Sequence, residues 1–408
     1  MPKAGPAAGL VVALVCVVCP AGTGAAGPSL SAREAILVDA TDGHVIYADD
    51  AKAHAEIASA TKLMTALISL EKLQLDRELV APPYHPGAAE SVINLRAGER
   101  MKVADLLRAL LLESANDAAV TLARGAGGSQ KGFVRMMNRQ ARRLGLRNTH
   151  YENPIGLDDP ANYSSARDLA KLTRHLMRNS FFALTVDMRS ARLLSGAYPR
   201  TIENRNDLVG EYPWITGVKT GHTEEAGYVL VGSATRKGAK LISVVLGAPS
   251  QSARDSSTLA LLGYGFSLYR QVRPVRAGAT VAKAKIEFFG DREANLVGAR
   301  SVDLSVRRGQ RVRTVVRGPD QLDGPIDKGK KVGTIAVLVD GKRKQVVPLV
   351  TAQPVPGASI FRKAAHYLFR LPVLIVVALL VLALMVRNRR RRSAAEAARR
   401  RRRRTAGL

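Results

Sequence analysis

Ser59 and Lys62 stand three residues apart in Ser59-Ala60-Thr61-Lys62, a spacing that puts both side chains on one helix face about one turn apart. At that separation an amine can take the proton of a hydroxyl, so a serine becomes a nucleophile for acyl transfer without any histidine. The pair alone carries little information, because Ser and Lys are common. Two further boxes follow in order: Ser114-Ala115-Asn116, 55 residues on, and Lys219-Thr220-Gly221, 105 residues beyond that. The ordered set of three is what makes the pattern specific.

Each box has a plain structural alternative. Ser59 could cap a helix, since Ser is preferred there. As a nucleophile it would sit where backbone N–H groups and the helix dipole favour developing negative charge. Lys62 could be a solvated helix lysine, but Leu63, Met64, Ala66 and Leu67 around it predict a buried helix. As the general base it needs a lowered pKa from burial or a neighbouring cation, and Lys219 could be that cation. Ser114 and Asn116, at the end of an apolar helix, either terminate that helix or serve as proton relay and substrate-amide contact. Lys219, Thr220 and Gly221, just before a strand-rich hairpin, offer a positive charge for a carboxylate, a donor and close backbone approach. The backbone N–H groups of Ser59 and His222 would form an oxyanion hole; nothing places a carboxylate beside the His222 imidazole to make it the base.

The three boxes resemble those of the serine penicillin-recognising enzymes. More narrowly, the chain looks like the D-alanyl-D-alanine carboxypeptidases among the low-molecular-mass penicillin-binding proteins. The stretches that carry the likeness are residues 57–65, 114–118, 144–150, 163–168, 204–206 and 219–223. The likeness covers roughly residues 35–350, including a small β-rich second domain. It implies removal of the terminal D-alanine from peptidoglycan stem pentapeptides through a Ser59 acyl-enzyme, acylation by penicillin and other β-lactams, and no cofactor or metal. Carried over by position, Arg254 would join Thr220 in holding the substrate's free carboxylate. Ala115 stands where the family's usual middle residue is glycine. A D,D-endopeptidase uses the same residues with a wider acceptor site. A β-lactamase would need a route to fast deacylation, for which Glu152-Asn153 is the nearest temptation. A non-catalytic cell-wall-binding protein would be expected to have lost at least one box residue.

Both ends of the chain point to the membrane. Lys3, the apolar run 8–18 and the small-residue zone 22–26 read as an export signal (1–26) cut near Ala25 or Ala26, which would remove Cys16 and Cys19, the only cysteines. The mature protein then has no disulfide and no thiolate metal site. Leu371 to Val386 gives sixteen residues without a charge, and with Tyr367 to Phe369 it predicts a transmembrane helix over 367–386. The family's Gram-negative members commonly end instead in an amphipathic helix. Eleven arginines, less Glu396, give the tail 387–408 a charge of +10 out of +28. The positive-inside rule puts that tail in the cytoplasm and the catalytic part outside, in a single-pass membrane protein. A nucleic-acid-binding arm competes for such a run, but its place after an apolar segment favours anionic lipid, and no nucleic-acid partner is expected.

Between the ends, hairpin signals at Asp42-Gly43 and Lys237-Gly238 flank helical patterns over 59–73, 103–111, 132–144 and 166–177, with a last helix over 254–266. This predicts an α+β catalytic domain (29–272), a β-lactamase/transpeptidase-like antiparallel sheet with helices on both faces. Alternating runs such as 282–288, and a hairpin over Asp340-Gly341, predict a small β-rich domain (274–354) followed by a linker (355–366).

Overall fold

The computed structural model describes residues 9–17, 27–368 and 371–405. The chain forms two compact units: Pro20–Val272 with Ser305–Gly309, and Met1–Cys19 with Arg273–Leu304 and Gln310–Leu408.

The first unit is built on five antiparallel strands: β1 (Glu34–Asp39), β2 (Val45–Asp49), β3 (Ile215–Thr223), β4 (Gly227–Arg236) and β5 (Ala239–Ala248). Their spatial order is β3-β4-β5-β1-β2. Successive side chains on a strand point to opposite faces, and here both sets are apolar. Ile36, Val38, Val231, Ile242 and Val244 face one core with helices α1 (Lys62–Lys72), α2 (Asn116–Gly127), α3 (Gln130–Arg143) and α4 (Ala166–Leu176). Leu37, Leu230, Leu241 and Val245 face a second core with Leu261 and Leu262 of α5 (Gln251–Ser267). Helices therefore cover both faces, as a sheet apolar on both sides requires.

Local sequence explains where the elements that carry the boxes start and stop. Residues 62–69 of α1 are all buried, and its polar members Lys62 and Thr65 find hydrogen-bond partners inside the protein. The helix Val103–Arg108 runs into a single π-helical turn, Ala109–Glu113, and Ser114 then takes the left-handed conformation (φ 65°, ψ 25°) before α2 begins at Asn116. A π turn and a non-glycine residue at positive φ are both costly local choices of the kind found at functional sites. Ser250 caps α5 by accepting from the Ala253 N–H at 3.1 Å, which fixes the first turn that carries Arg254.

In the second unit, strands β6 (Thr280–Ile286), β7 (Glu293–Gly298), β8 (Val312–Pro319), β9 (Lys331–Val339) and β10 (Lys342–Thr351) belong to a mostly antiparallel seven-stranded sheet. Ile335, Val337 and Val339 alternate inward on β9, as do Val347 and Leu349 on β10. The run 282–288 is strand only to Ile286, and Phe288 lies in a turn at φ 66°. The expected export signal falls largely outside the described residues. Within it, Gly9–Val17 is an extended segment antiparallel to β8.

The C-terminal segment forms the helices Ile360–Leu368 and α6 (Leu371–Thr405). The transmembrane helix expected over 367–386 is not supported: among the described residues, no helix is long and apolar enough to cross a membrane. Sixteen residues rise only about 24 Å, against a hydrocarbon core of about 30 Å, and arginines begin at once after Val386.

Candidate active site

Ser59 lies in the short 3-10 turn Ala58–Thr61 that leads into α1, and neither this turn nor α1 has a side-chain N-cap hydrogen bond. Capping is therefore not what Ser59 does. The Nζ of Lys62 lies 2.9 Å from Ser59 Oγ and 2.5 Å from the carbonyl oxygen of Ile155. That carbonyl is held in place by Asn153, whose Oδ1 accepts from the N–H groups of Ile155, Gly156 and Leu157 at 3.2, 2.6 and 3.3 Å. The Thr65 hydroxyl donates to Pro154 O at 2.7 Å and ties the same loop to α1. Gly156, at φ +84°, is irreplaceable there, since a Cβ would stand 2.0 Å from Ala58 O.

Lys62 is 1% exposed. Burial pushes its amine well below the ordinary lysine range, and the nearby Lys219 charge pushes it further, with Glu90 opposing. A neutral amine can donate one N–H to Ile155 O and still turn its lone pair to the Ser59 hydroxyl. The two contacts of Lys62 match those two capacities.

Lys219, Thr220 and Gly221 lie within β3 rather than ahead of it. Lys219 is also 1% exposed and donates to Thr220 O at 2.9 Å. Burial, then the Arg205 and Arg254 guanidinium groups, bring its amine down to about 7, against the pull of Glu113. Gly221 lets the strand approach the nucleophile: a Cβ would meet the Ser59 nitrogen at 2.9 Å and Ala58 Cβ at 3.0 Å. The His222 ring is exposed and lies tilted against Tyr228, with ring centroids 4.0 Å apart and planes at 31°.

A cleft of about 250 Å³ brings these elements together. Ser59, Ser114, Asn116, Thr220, Gly221, His222 and Arg254 line it, while Lys62 and Lys219 are buried groups reached through Ser59 and Thr220. Arg254 is 4% exposed and forms a fork with its neighbour Asp255, Nε to Oδ1 at 2.8 Å and a terminal nitrogen to Oδ2 at 3.1 Å. Glu152 does not line the cleft; it faces His150 at 3.5 Å.

Sequence reasoning missed several contributors. Glu90 lines the cleft, accepts from Asn116 Nδ2 at 2.7 Å and from the Tyr84 hydroxyl, and comes from a proline-rich loop with no chemical signature. Arg205 lines it too and pairs with Glu113. Asn153-Pro154 carries turn chemistry, which marks a tight loop without naming what the loop holds.

Comparison with known proteins agrees with this geometry. The family model described as D-alanyl-D-alanine carboxypeptidase matches residues 21–250, and one described as penicillin-binding protein 5, C-terminal domain, matches 269–356. The chain is 33% identical over 359 residues to the D-alanyl-D-alanine carboxypeptidase DacA of Escherichia coli (strain K12), covering 84% of this chain and 88% of that protein. It is 29% identical over 347 residues to DacF of Bacillus subtilis (strain 168), covering 83% and 88%. Among solved structures, penicillin binding protein 5 from Haemophilus influenzae superposes with a TM-score of 0.58 at 28% identity, over 82% of this chain and all of that one. The Streptomyces K15 DD-transpeptidase gives 0.57 at 33% identity, over 60% of this chain and all of that one. The ordered boxes, their convergence on one cleft and the match over most of the sequence have one conclusion: the chain belongs to the D-alanyl-D-alanine carboxypeptidase family.

Proposed function

We propose that this chain is a serine-type carboxypeptidase that removes the terminal D-alanine from peptidoglycan stem pentapeptides, and that β-lactams acylate the same serine. The observation that carries the reading is the buried Lys62 amine 2.9 Å from Ser59 Oγ. In the first step neutral Lys62 takes the Ser59 proton as Oγ bonds to the penultimate D-alanine carbonyl carbon. The backbone N–H groups of Ser59 and His222 receive the developing oxyanion, a contribution of about 3 kcal/mol per donor in comparable sites. The C–N bond then breaks, and the proton held by Lys62 passes through the Ser114 hydroxyl to the departing D-alanine amine. Water hydrolyses the ester with the same lysine as base. Asn116 contacts the substrate amide, while Lys219, Thr220 and Arg254 hold its terminal carboxylate.

The catalytic unit works outside the cytoplasm, held at the membrane by the C-terminal helix with its arginine tail inside. The export-type N-terminus, the charge-free run 371–386 with exposed Ile375, Leu379 and Leu382, and the arginines that follow support this placement. The run is short, and bilayer thinning with arginine snorkelling offsets the mismatch. Protease accessibility of each end in intact cells tests the orientation.

The activity is tested by D-alanine release from diacetyl-lysyl-D-alanyl-D-alanine, using the full chain in detergent beside Ser59→Ala. Release abolished by the substitution is the expected result. No release from either folded protein overturns the carboxypeptidase reading, and cleavage of cross-linked dimers instead would make the protein an endopeptidase.

A further inference from the structure

A second cavity, of about 510 Å³, lies on the first unit and shares no residue with the catalytic cleft. It sits where the hairpin of β1 and β2 meets α4 and the loop that follows α3. Five cations line it: Lys52, Arg147, Arg167, Lys171 and Arg174. Lys52, Arg147 and Lys171 are exposed and the two others half-buried, so all five can meet a ligand from solvent.

Three segments distant in sequence supply these charges, so their meeting is a product of the fold. Arg167, Lys171 and Arg174 stand at i, i+4 and i+7 of α4, which places them on one face of the helix. Like charges at that spacing work against the helix that carries them. Among the described residues none of the five is paired with a carboxylate.

Backbone carbonyls hold two of them instead. Lys171 Nζ donates to Gly145 O at 3.1 Å. Arg174 donates through Nε to Ala40 O at 3.0 Å and through a terminal nitrogen to Thr41 O at 3.4 Å. A carbonyl orients a cation without cancelling its charge. Asn148 Nδ2 donates to Lys52 O at 2.7 Å and so ties the loop after α3 to the chain that leaves β2. The two acids of the cavity are engaged already. Asp42 lies 3.6 Å from Arg307, and Asp168 accepts from the Asn148 N–H at 2.7 Å and the Thr149 hydroxyl at 2.9 Å.

Five cations against two occupied acids suit a ligand with more than one negative oxygen. Guanidinium forks and ammonium groups are the side chains that bind phosphate oxygens. The volume leaves room for an organic body beside the phosphate, next to half-buried Val45. We propose that this cavity is a binding site for a phosphate ester, held by Arg147, Lys171 and Arg174. Nothing in acyl transfer uses these residues, so the site is separate from the catalytic one.

The whole chain carries +28, and its arginine tail attracts anions too, so the test must separate a built site from general charge. Trp214, the only tryptophan, packs against Tyr212 and Phe266 in the first unit, and its fluorescence follows the unfolding of that unit alone. The full chain in nonionic detergent, at about 0.15 M salt, is titrated with glycerol 1-phosphate. A saturable rise in the thermal midpoint is the expected result.

Arg147→Gln with Lys171→Gln should need at least about tenfold more probe for the same rise. Lys131→Gln with Arg135→Gln removes equal charge from an exposed face of α3 outside the cavity, and should change the requirement less than about twofold. The midpoint without probe reports whether each variant folds. Should the first pair fail to fold, Arg147→Gln alone takes its place, with a smaller loss that the α3 pair still does not share. Dihexanoyl phosphatidylglycerol distinguishes the source: a rise at lower concentration than glycerol 1-phosphate supports the site with a phospholipid as occupant, and a rise at equal or higher concentration supports it with a water-soluble ester. No saturable rise, equal loss in both pairs, or an equal rise with zwitterionic dihexanoyl phosphatidylcholine overturns the proposal.

Discussion

Lys62 and Lys219 reach one site from a helix and a strand far apart in sequence, and each is almost completely buried. Their charges oppose each other, so the pair works best with Lys62 neutral and Lys219 protonated. That division of labour leads directly to tests.

Replacing Lys62 by Met should lower kcat/KM for D-alanine release by about 10²–10⁴, the range a positioned general base supplies. Lys62→Arg should not rescue it, because a guanidinium does not give up its proton. Recovery of even a tenth of the activity by arginine would show that charge, rather than a basic lone pair, is what the site needs.

The pH dependence follows with its sign. Lys219 titrates near 7 in the free protein, so it is charged below that pH and neutral above. Capture of the substrate carboxylate should weaken above about pH 7, giving kcat/KM an alkaline limb. Once bound, the carboxylate holds the proton on Lys219, so kcat should keep rising as Lys62 deprotonates. Parallel alkaline limbs in kcat and kcat/KM would contradict this assignment.

Arg254 and its fork with Asp255 make a prediction about substrate form. Arg254→Ala should raise KM for a peptide ending in a free carboxylate about tenfold, with much less effect on the same peptide capped as an amide. Asp255→Asn should do so more mildly, since the guanidinium stays but loses half of its orientation. Equal losses on both peptides would assign Arg254 to folding instead.

Gly221→Ala should reduce acylation sharply and also cost stability, because its Cβ would press on the backbone nitrogen of Ser59. Gly156→Ala combines a clash with a positive φ and should destabilise the protein itself. Thermal unfolding beside acylation rates separates the two effects.

The boxes and the three hairpins were legible because their signals are local: fixed spacing, turn residues, and apolar runs long enough to register. The start of β3 was not, since Lys219 and Thr220 look like exposed residues until the sheet buries them. Helix α2 was hidden as well, because the left-handed Ser114 breaks the pattern between two apolar segments. Glu90 could not be found at all, as its bond to Asn116 spans 26 positions and depends on how the proline-rich loop folds back. The same holds for the Ile155 carbonyl, a backbone group that any residue type supplies. The C-terminal run is the converse case: its sixteen charge-free residues stood out in the sequence, yet no helix among the described residues is long and apolar enough by itself to cross a membrane, because arginines follow the run at once.

Finally, the three boxes come from a 3-10 turn, a corner between two helices and a sheet strand, and no two share an element. A chain with intact boxes but loosened packing has a serine with an ordinary hydroxyl and a lysine with an ordinary charge. Covalent labelling by a fluorescent penicillin is thus a census of native molecules. Run along a denaturant series, it should fall in step with the loss of tertiary structure and report the fraction folded in a crude extract without purification.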